Sequence, residues 1–210
     1  FRRVLFRSGH MNIYGVNGPF FDYPSILEQV AKIPGVVEIS PTVEAQALVS
    51  QNGSASGVYV RGVEPEAMAQ RPNIAQHIVF GSLKDFGEDR IAIGIRMAER
   101  LQVSVGDGIT LISPVGKTTL FGAAPRMRAY KVAAIFDVGM YEYDNNFVFM
   151  PLPAAQVFFV MGSAVSALEI FVQDPQNMRA LRRTVMETVN APGHRLVTWQ
   201  ENNSSFYAAL

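Results

Sequence analysis

The sequence contains no cysteine among its 210 residues. That excludes thiolate nucleophiles, zinc–thiolate sites, iron–sulfur ligation and disulfides, while a reducing cytosol and an oxidising compartment both tolerate such a chain. Histidine is scarce: His10, His77 and His194 stand far apart, and no pair shows metal-ligand spacing. An excess of one charge is lacking too, because 18 basic residues meet 18 acidic ones. No basic stripe with interleaved aromatics is present, which argues against nucleic acid as a partner. Long apolar runs are also missing. The uncharged stretch from Asn145 to Leu168 is long enough to cross a bilayer. Pro151 and Pro153 break it, however, and Asn145, Asn146, Gln156, Ser163 and Ser166 dilute it. It reads as a buried strand, Phe147 to Met150, followed by an amphipathic helix from Pro153 to about Met161.

The remaining composition, 49% hydrophobic with 17% charged, is that of a globular protein with one large domain or two small ones. The first eleven residues, closing on Gly9-His10-Met11, read as a cleavage-and-cloning scar, a tag outside the fold. Setting aside Arg2, Arg3 and Arg7 leaves 15 basic against 18 acidic residues, a mildly acidic domain.

Two segments near the ends share a layout. The first predicts a strand at Asn12-Ile13-Tyr14 and a helix from Ser25 to Ile33. Ile26, Leu27, Val30 and Ile33 share one face of that helix, and Pro34-Gly35 stops it. A strand then runs from Val36 past Pro41 to Val49. The second predicts a strand from Leu168 to Val172 and a helix opened by Asp174-Pro175. Met178, Leu181, Val185, Met186 and Val189 stripe that helix, and a strand follows from Arg195 to Trp199. Paired strand–helix–strand units suggest one α+β subdomain made from both chain ends. Between them the chain reads as a β-rich insertion. Its strands are Gly57 to Val63, Arg90 to Gly94, Ile109 to Ile112 and Tyr130 to Phe136, with a helix from Ile95 to Leu101. The expected division is residues 12–50 and 167–210 for the α+β part, and 51–166 for the insertion.

Motifs that carry chemistry are incomplete. Val115-Gly116-Lys117-Thr118-Thr119 lacks the upstream glycine of a phosphate loop, where Leu111 stands, and reads as a polar turn. Gly53-Ser54-Ala55-Ser56-Gly57 puts Ala55 where a nucleophile elbow needs serine. The acidic, aromatic patch from Tyr141 to Asn146 lacks the alternating oxygen ligands of a calcium loop. With no assembled acid–base or nucleophilic set, no enzyme, metal or cofactor is expected.

An ordered set of segments then matters. These are Ile33-Pro34-Gly35-Val36 with Ser40-Pro41, Val60-Arg61-Gly62-Val63-Glu64-Pro65, and Ile93-Gly94 leading to Ala98 and Leu101. Val105-Gly106-Asp107, Phe136-Asp137-Val138-Gly139-Met140-Tyr141-Glu142-Tyr143-Asp144, and Trp199 to Leu210 follow in the same order. From Asn12 onward the chain resembles the periplasmic domain of lipoprotein-releasing ABC-transporter permeases of LolC/LolE type, within the macrolide-exporter and FtsX-like permeases. The resemblance implies a permease with four transmembrane helices, whose second would begin near Phe206 to Leu210. It implies an α+β part called Porter and a β-rich part called Sabre. It further implies a separate cytoplasmic ATPase (LolD-like), a second permease subunit (the same or a diverged one), lipoprotein substrates in the inner membrane, and a soluble periplasmic carrier (LolA-like). In the LolC type a protruding β-hairpin, the Hook, captures that carrier beside a supporting patch.

Here the hairpin would span residues 113–128, with Pro114, Leu120, Phe121, Gly122, Pro125, Arg126 and Arg128 as the partner-binding residues. Apolar residues at an exposed tip need a partner to cover them. The alternative is that Leu120 and Phe121 fold back onto the domain's own core. Arg128 matches an arginine of the family patch, whereas Thr110 and Met127 stand where an arginine and a glutamine are expected. Arg126 and Arg128 as plain solvated arginines remain the other reading. The sequence leaves rivals for the whole. One is a sibling permease, either an exporter meeting an outer-membrane conduit or a regulator of cell-wall hydrolases. Another is a lipid or small-molecule pocket lined by Phe158, Phe159 and Met161. A hydrolase is remote, lacking catalytic residues.

Overall fold

The structure, a computed structural model, describes residues 9–119, 122–189 and 193–202. In chain order the first elements are β1 (Met11–Gly15), α1 (Tyr23–Val30), β2 (Val36–Gln51), β3 (Ser54–Val63), α2 (Pro65–Gln70), α3 (Pro72–Ala75) and β4 (Ile78–Gly81). Then come β5 (Arg90–Gly94), α4 (Ile95–Leu101), β6 (Gly108–Thr119), β7 (Gly122–Phe136), α5 (Tyr141–Asn146) and β8 (Phe147–Pro151). The chain continues through α6 (Leu152–Phe158), β9 (Ala167–Val172), α7 (Arg179–Val189), β10 (His194–Thr198) and α8 (Trp199–Asn202). The fold is mixed α/β, and the chain divides into two compact units.

One unit takes both chain ends, up to Thr42 and from Ala164 onward. Its strand order is β10-β1-β9-β2, every pair antiparallel. Gly9, His10 and Met11, set outside the fold on sequence, lie inside it. Met11 pairs with both Thr198 and Ile170 and is fully buried. The Gly9 amide donates to Glu169 Oε1 at 3.1 Å, and the Thr42 hydroxyl donates to Glu169 Oε2 at 3.3 Å. Burying the Glu169 side chain requires such partners, so these contacts tie the first residues into the sheet. Ile26, Val30 and Ile33 are buried, as their spacing predicts. Asp174-Pro175 does not open α7. The Asp174 carboxylate accepts from the Gln176 amide at 3.0 Å, which folds a turn there, and the helix starts at Arg179. The strand expected up to Trp199 ends one residue earlier, because Thr198 accepts from the Glu201 amide and caps α8.

The other unit runs from Val43 to Ser163. Here β2 pairs with β3, β3 with β8 (parallel), β8 with β5, β5 with β7 (parallel), and β7 with β6. β6 then returns to β2 through Leu48↔Ile112, Val49↔Leu111 and Ser50↔Thr110. The six strands therefore close into a ring, which removes the open edges a flat sheet would expose. β4 hangs on the outside of β7. Asn52 and Gly53, both at positive φ, make the β2–β3 turn, as a tight hairpin of the primed type requires. Successive residues Ile91, Ala92 and Ile93 of β5 are all buried, so this strand is covered on both faces. α4 matches its expected span, and Gln102 in the left-handed region caps it.

The acidic, aromatic patch is split: Tyr143 and Asp144 are core, whereas Tyr141 and Glu142 are exposed. Tyr143 is buried and stacks on Phe147 at 4.1 Å, within a cluster that holds Phe136 and Phe149. Asp144 accepts from the Val138 and Met140 amides, each at 2.9 Å, and so folds the preceding loop. Burial raises its pKa above the usual aspartate value, while those two amides act in the opposite direction. Phe158 and Phe159 are buried too, and Phe158 meets the Tyr130 ring edge-on at 5.8 Å.

Candidate functional site: a β-ribbon rooted in the ring

The strands β6 and β7 are longer than the ring that contains them. β6 has 12 residues and β7 has 15. The pairing of β6 with β2 stops at Ile112, and that of β7 with β5 begins at Lys131. Beyond those points Ser113–Thr119 and Gly122–Arg126 pair only with each other among the described residues. What leaves the ring is a two-stranded ribbon. Val115 to Thr119, read on sequence as a polar turn, is strand, because the ladder resumes at Lys117↔Ala124 and continues to Thr119↔Gly122. Leu120 and Phe121 lie between Thr119 and Gly122, outside the described residues.

The two faces at the ribbon's root differ in chemistry. Opposed residues in a ladder point to the same side. Val49, Leu111, Ile109, Tyr130 and Val132 line the buried side. Arg128, opposite Leu111, follows that side outward, and its guanidinium sits 5.3 Å above the centre of the Tyr130 ring. Arg126 lies opposite Ser113, which is fully buried. Burial pushes the Tyr130 phenol above its ordinary pKa, and the nearby Arg128 and Arg126 pull the other way.

On the opposite face Leu48, Ile112 and Met127 form one row across three strands, with Leu48 and Met127 strongly exposed. Beside the row lies a groove of about 640 Å³, lined by Tyr59, Ile112, Ser113, Pro114, Pro125 and Asn146 among others. The structure therefore brings Pro114 and Pro125 together at this groove and places Arg126 and Arg128 on the other side of β7. Leu48 and Tyr59 escaped the sequence reading. Their only signal there was an apolar residue on an alternating strand, which more often points to a core. No group of three or more metal-ligating side chains stands together among the described residues, and no helix among them is long and apolar enough to cross a membrane.

LolC, the lipoprotein-releasing system transmembrane protein of Neisseria meningitidis serogroup B, is 28% identical over 203 residues, covering 96% of this chain and 49% of that protein. Its namesake from Xylella fastidiosa is 25% identical over 210 residues, covering 99% and 50%. The chain thus spans about half the length of the curated relatives it matches. The crystal structure of the periplasmic region of MacB from Actinobacillus actinomycetemcomitans superposes with a TM-score of 0.61 at 10% identity, covering 94% of this chain and 92% of that one. That likeness establishes the fold. A family model described as the MacB-like periplasmic core domain matches residues 4–187, and the chain belongs to that family.

Proposed function

We propose that this chain is the periplasmic domain of an ABC-transporter permease that couples cytoplasmic ATP hydrolysis to lipoprotein release from the inner membrane. Its part is to dock a soluble LolA-like carrier through the β6–β7 ribbon. The observation that carries the reading is the ribbon itself, a pair of strands that leaves a closed ring and has no third strand beside it among the described residues. Such a ribbon contributes little to the core, and docking to another protein is the use its shape suits. The names of the LolC relatives supply the lipoprotein-releasing system, and the family resemblance of the sequence supplies the kind of partner. Leu120, Phe121 and Gly122 at the end of the ribbon make the contact, Arg126 and Arg128 support it from one face, and Pro114 and Pro125 shape its root. The unit built from both chain ends is Porter-like and the ring unit Sabre-like. The ATPase is a separate subunit, reached through membrane helices beyond this domain.

Calorimetry of the domain against a purified LolA-type carrier tests this, with a Leu120→Ala/Phe121→Ala variant alongside. Saturable binding that is lost in a variant with an unchanged melting temperature supports docking. A large loss of melting temperature instead places the two side chains in this domain's own core. The MacB-like family leaves one second reading, a sibling exporter whose domain meets an outer-membrane conduit. Absence of carrier binding by the folded domain, with capture of such a conduit, selects it.

A further inference from the structure

The ladder of the ribbon has one interruption. Ser113 pairs with Arg126, and the next pair is Lys117 with Ala124. Three residues of β6, Pro114, Val115 and Gly116, therefore stand against Pro125 alone. Such a bulge leaves the surplus residues unpaired and bends the strand that carries them.

Proline stands on both strands at this same level. Neither Pro114 nor Pro125 has an N–H to give, so neither strand makes a ladder bond from that position. The ring of each fixes φ near −65°, well away from the extended values of antiparallel strands, and both strands are thereby biased to bend together. The ring side of the interruption is held firmly. Ser113 is fully buried, and Ile112 is paired on one side with Leu48 and on the other with Met127. Strands fixed that way resist bending, so a bend imposed by the prolines would fall at the bulge.

We infer that the bulge of Pro114–Gly116 against Pro125 is a positioning element that sets the direction in which the ribbon leaves the ring, and that both prolines act on partner binding through that direction. The inference rests on the docking role proposed above. It separates two jobs within one hairpin: the distal residues touch, and the bulge aims them.

The chain's lack of cysteine makes the test direct. Nitroxide labels at Thr118→Cys on the ribbon and Lys131→Cys in the ring report the ribbon's direction as a distance. Deleting residues 115 and 116, together with Pro114→Thr and Pro125→Thr, restores a one-for-one ladder. The expected result is a shifted label distance, a melting temperature equal to or above the parent's, and affinity for the LolA-type carrier at least about tenfold weaker. Pro125→Ala alone gives a smaller shift and a proportionally smaller loss. If the shortened chain does not fold, Pro114→Thr/Pro125→Thr without the deletion carries the same comparison. Lost affinity at an unchanged distance makes the prolines contact residues and overturns the inference. A shifted distance at unchanged affinity overturns it as well. If the parent domain does not bind the carrier, the docking reading fails by itself, and an unshifted label distance would then reject the aiming role independently.

Discussion

The backbone amide of Val172 donates to Nδ1 of His10 across 2.9 Å. His10 is buried, and its ring meets Phe171 edge-on at 5.6 Å. A residue that reads as the end of a cloning scar thus fastens the first strand of the fold to β9.

That bond makes stability depend on pH. Nδ1 can accept only while it is unprotonated, and burial lowers the His10 pKa below its ordinary 6.5. A lowered folded value means that the contribution of His10 is fully present above pH 6.5 and is lost as pH falls through the folded value. The urea midpoint should drop between about pH 7 and about pH 5. His10→Asn, which keeps an acceptor that does not titrate, should flatten that drop. An equal drop in the variant would exclude His10 as its source.

Asp144 carries the loop ahead of α5 on two amides, Val138 and Met140. Asp144→Ala leaves both N–H groups without their acceptor, at a cost of roughly 2 to 4 kcal/mol. Chemical denaturation measures this directly, and a loss below about 0.5 kcal/mol would mean that water replaces the carboxylate there.

Gly62 of β3 faces Ala155 of α6 so closely that a methyl group added at Gly62 would overlap the Ala155 Cβ. Gly62→Ala should therefore lower the melting temperature by several degrees. Ala155→Gly added to it should recover part of the loss. The recovery is incomplete because the new methyl still lies 3.1 Å from the Val43 Cβ and because glycine weakens the helix. A double mutant no better than Gly62→Ala would rule out this contact as the cause.

Val160 sits at φ 59° and is exposed. A β-branched residue pays about 1 to 2 kcal/mol for that conformation, and glycine does not. Val160→Gly should raise stability by about 1 kcal/mol at no packing cost, read from the denaturant midpoint. Unchanged or lower stability would show that the Val160 methyl groups are used in the native state.

Much of this was legible where local chemistry decides. Arg90 to Gly94 reads as a strand and Ile95 to Leu101 as a helix from their apolar patterns alone, and both take those bounds. The pairing of Leu48 with Ile112 that closes the ring leaves no local trace, because each residue fits equally well on any amphipathic strand. Within the hairpin expected at 113–128, the strand pairing was not legible. Ser113-Pro114-Val115-Gly116 carries the residues of a turn, and only the partner strand makes a bulge of them. Asp174-Pro175 misled for the opposite reason, since the same dipeptide starts helices and closes turns, and the Gln176 amide chose the turn. Gly9 to Met11 were set aside on their identity. Their burial against Glu169 and Val172 depends on residues more than 150 positions away.

Closure of the ring at Leu48 and Ile112 also divides the labour of mutation. Amides within the ring can open only when the whole circle opens, whereas those beyond Ser113 need only two strands to part. Breaking a ribbon pair therefore costs the ladder less than breaking a ring pair. Sequence drift can retune whatever the ribbon meets while the scaffold that carries it stays the same.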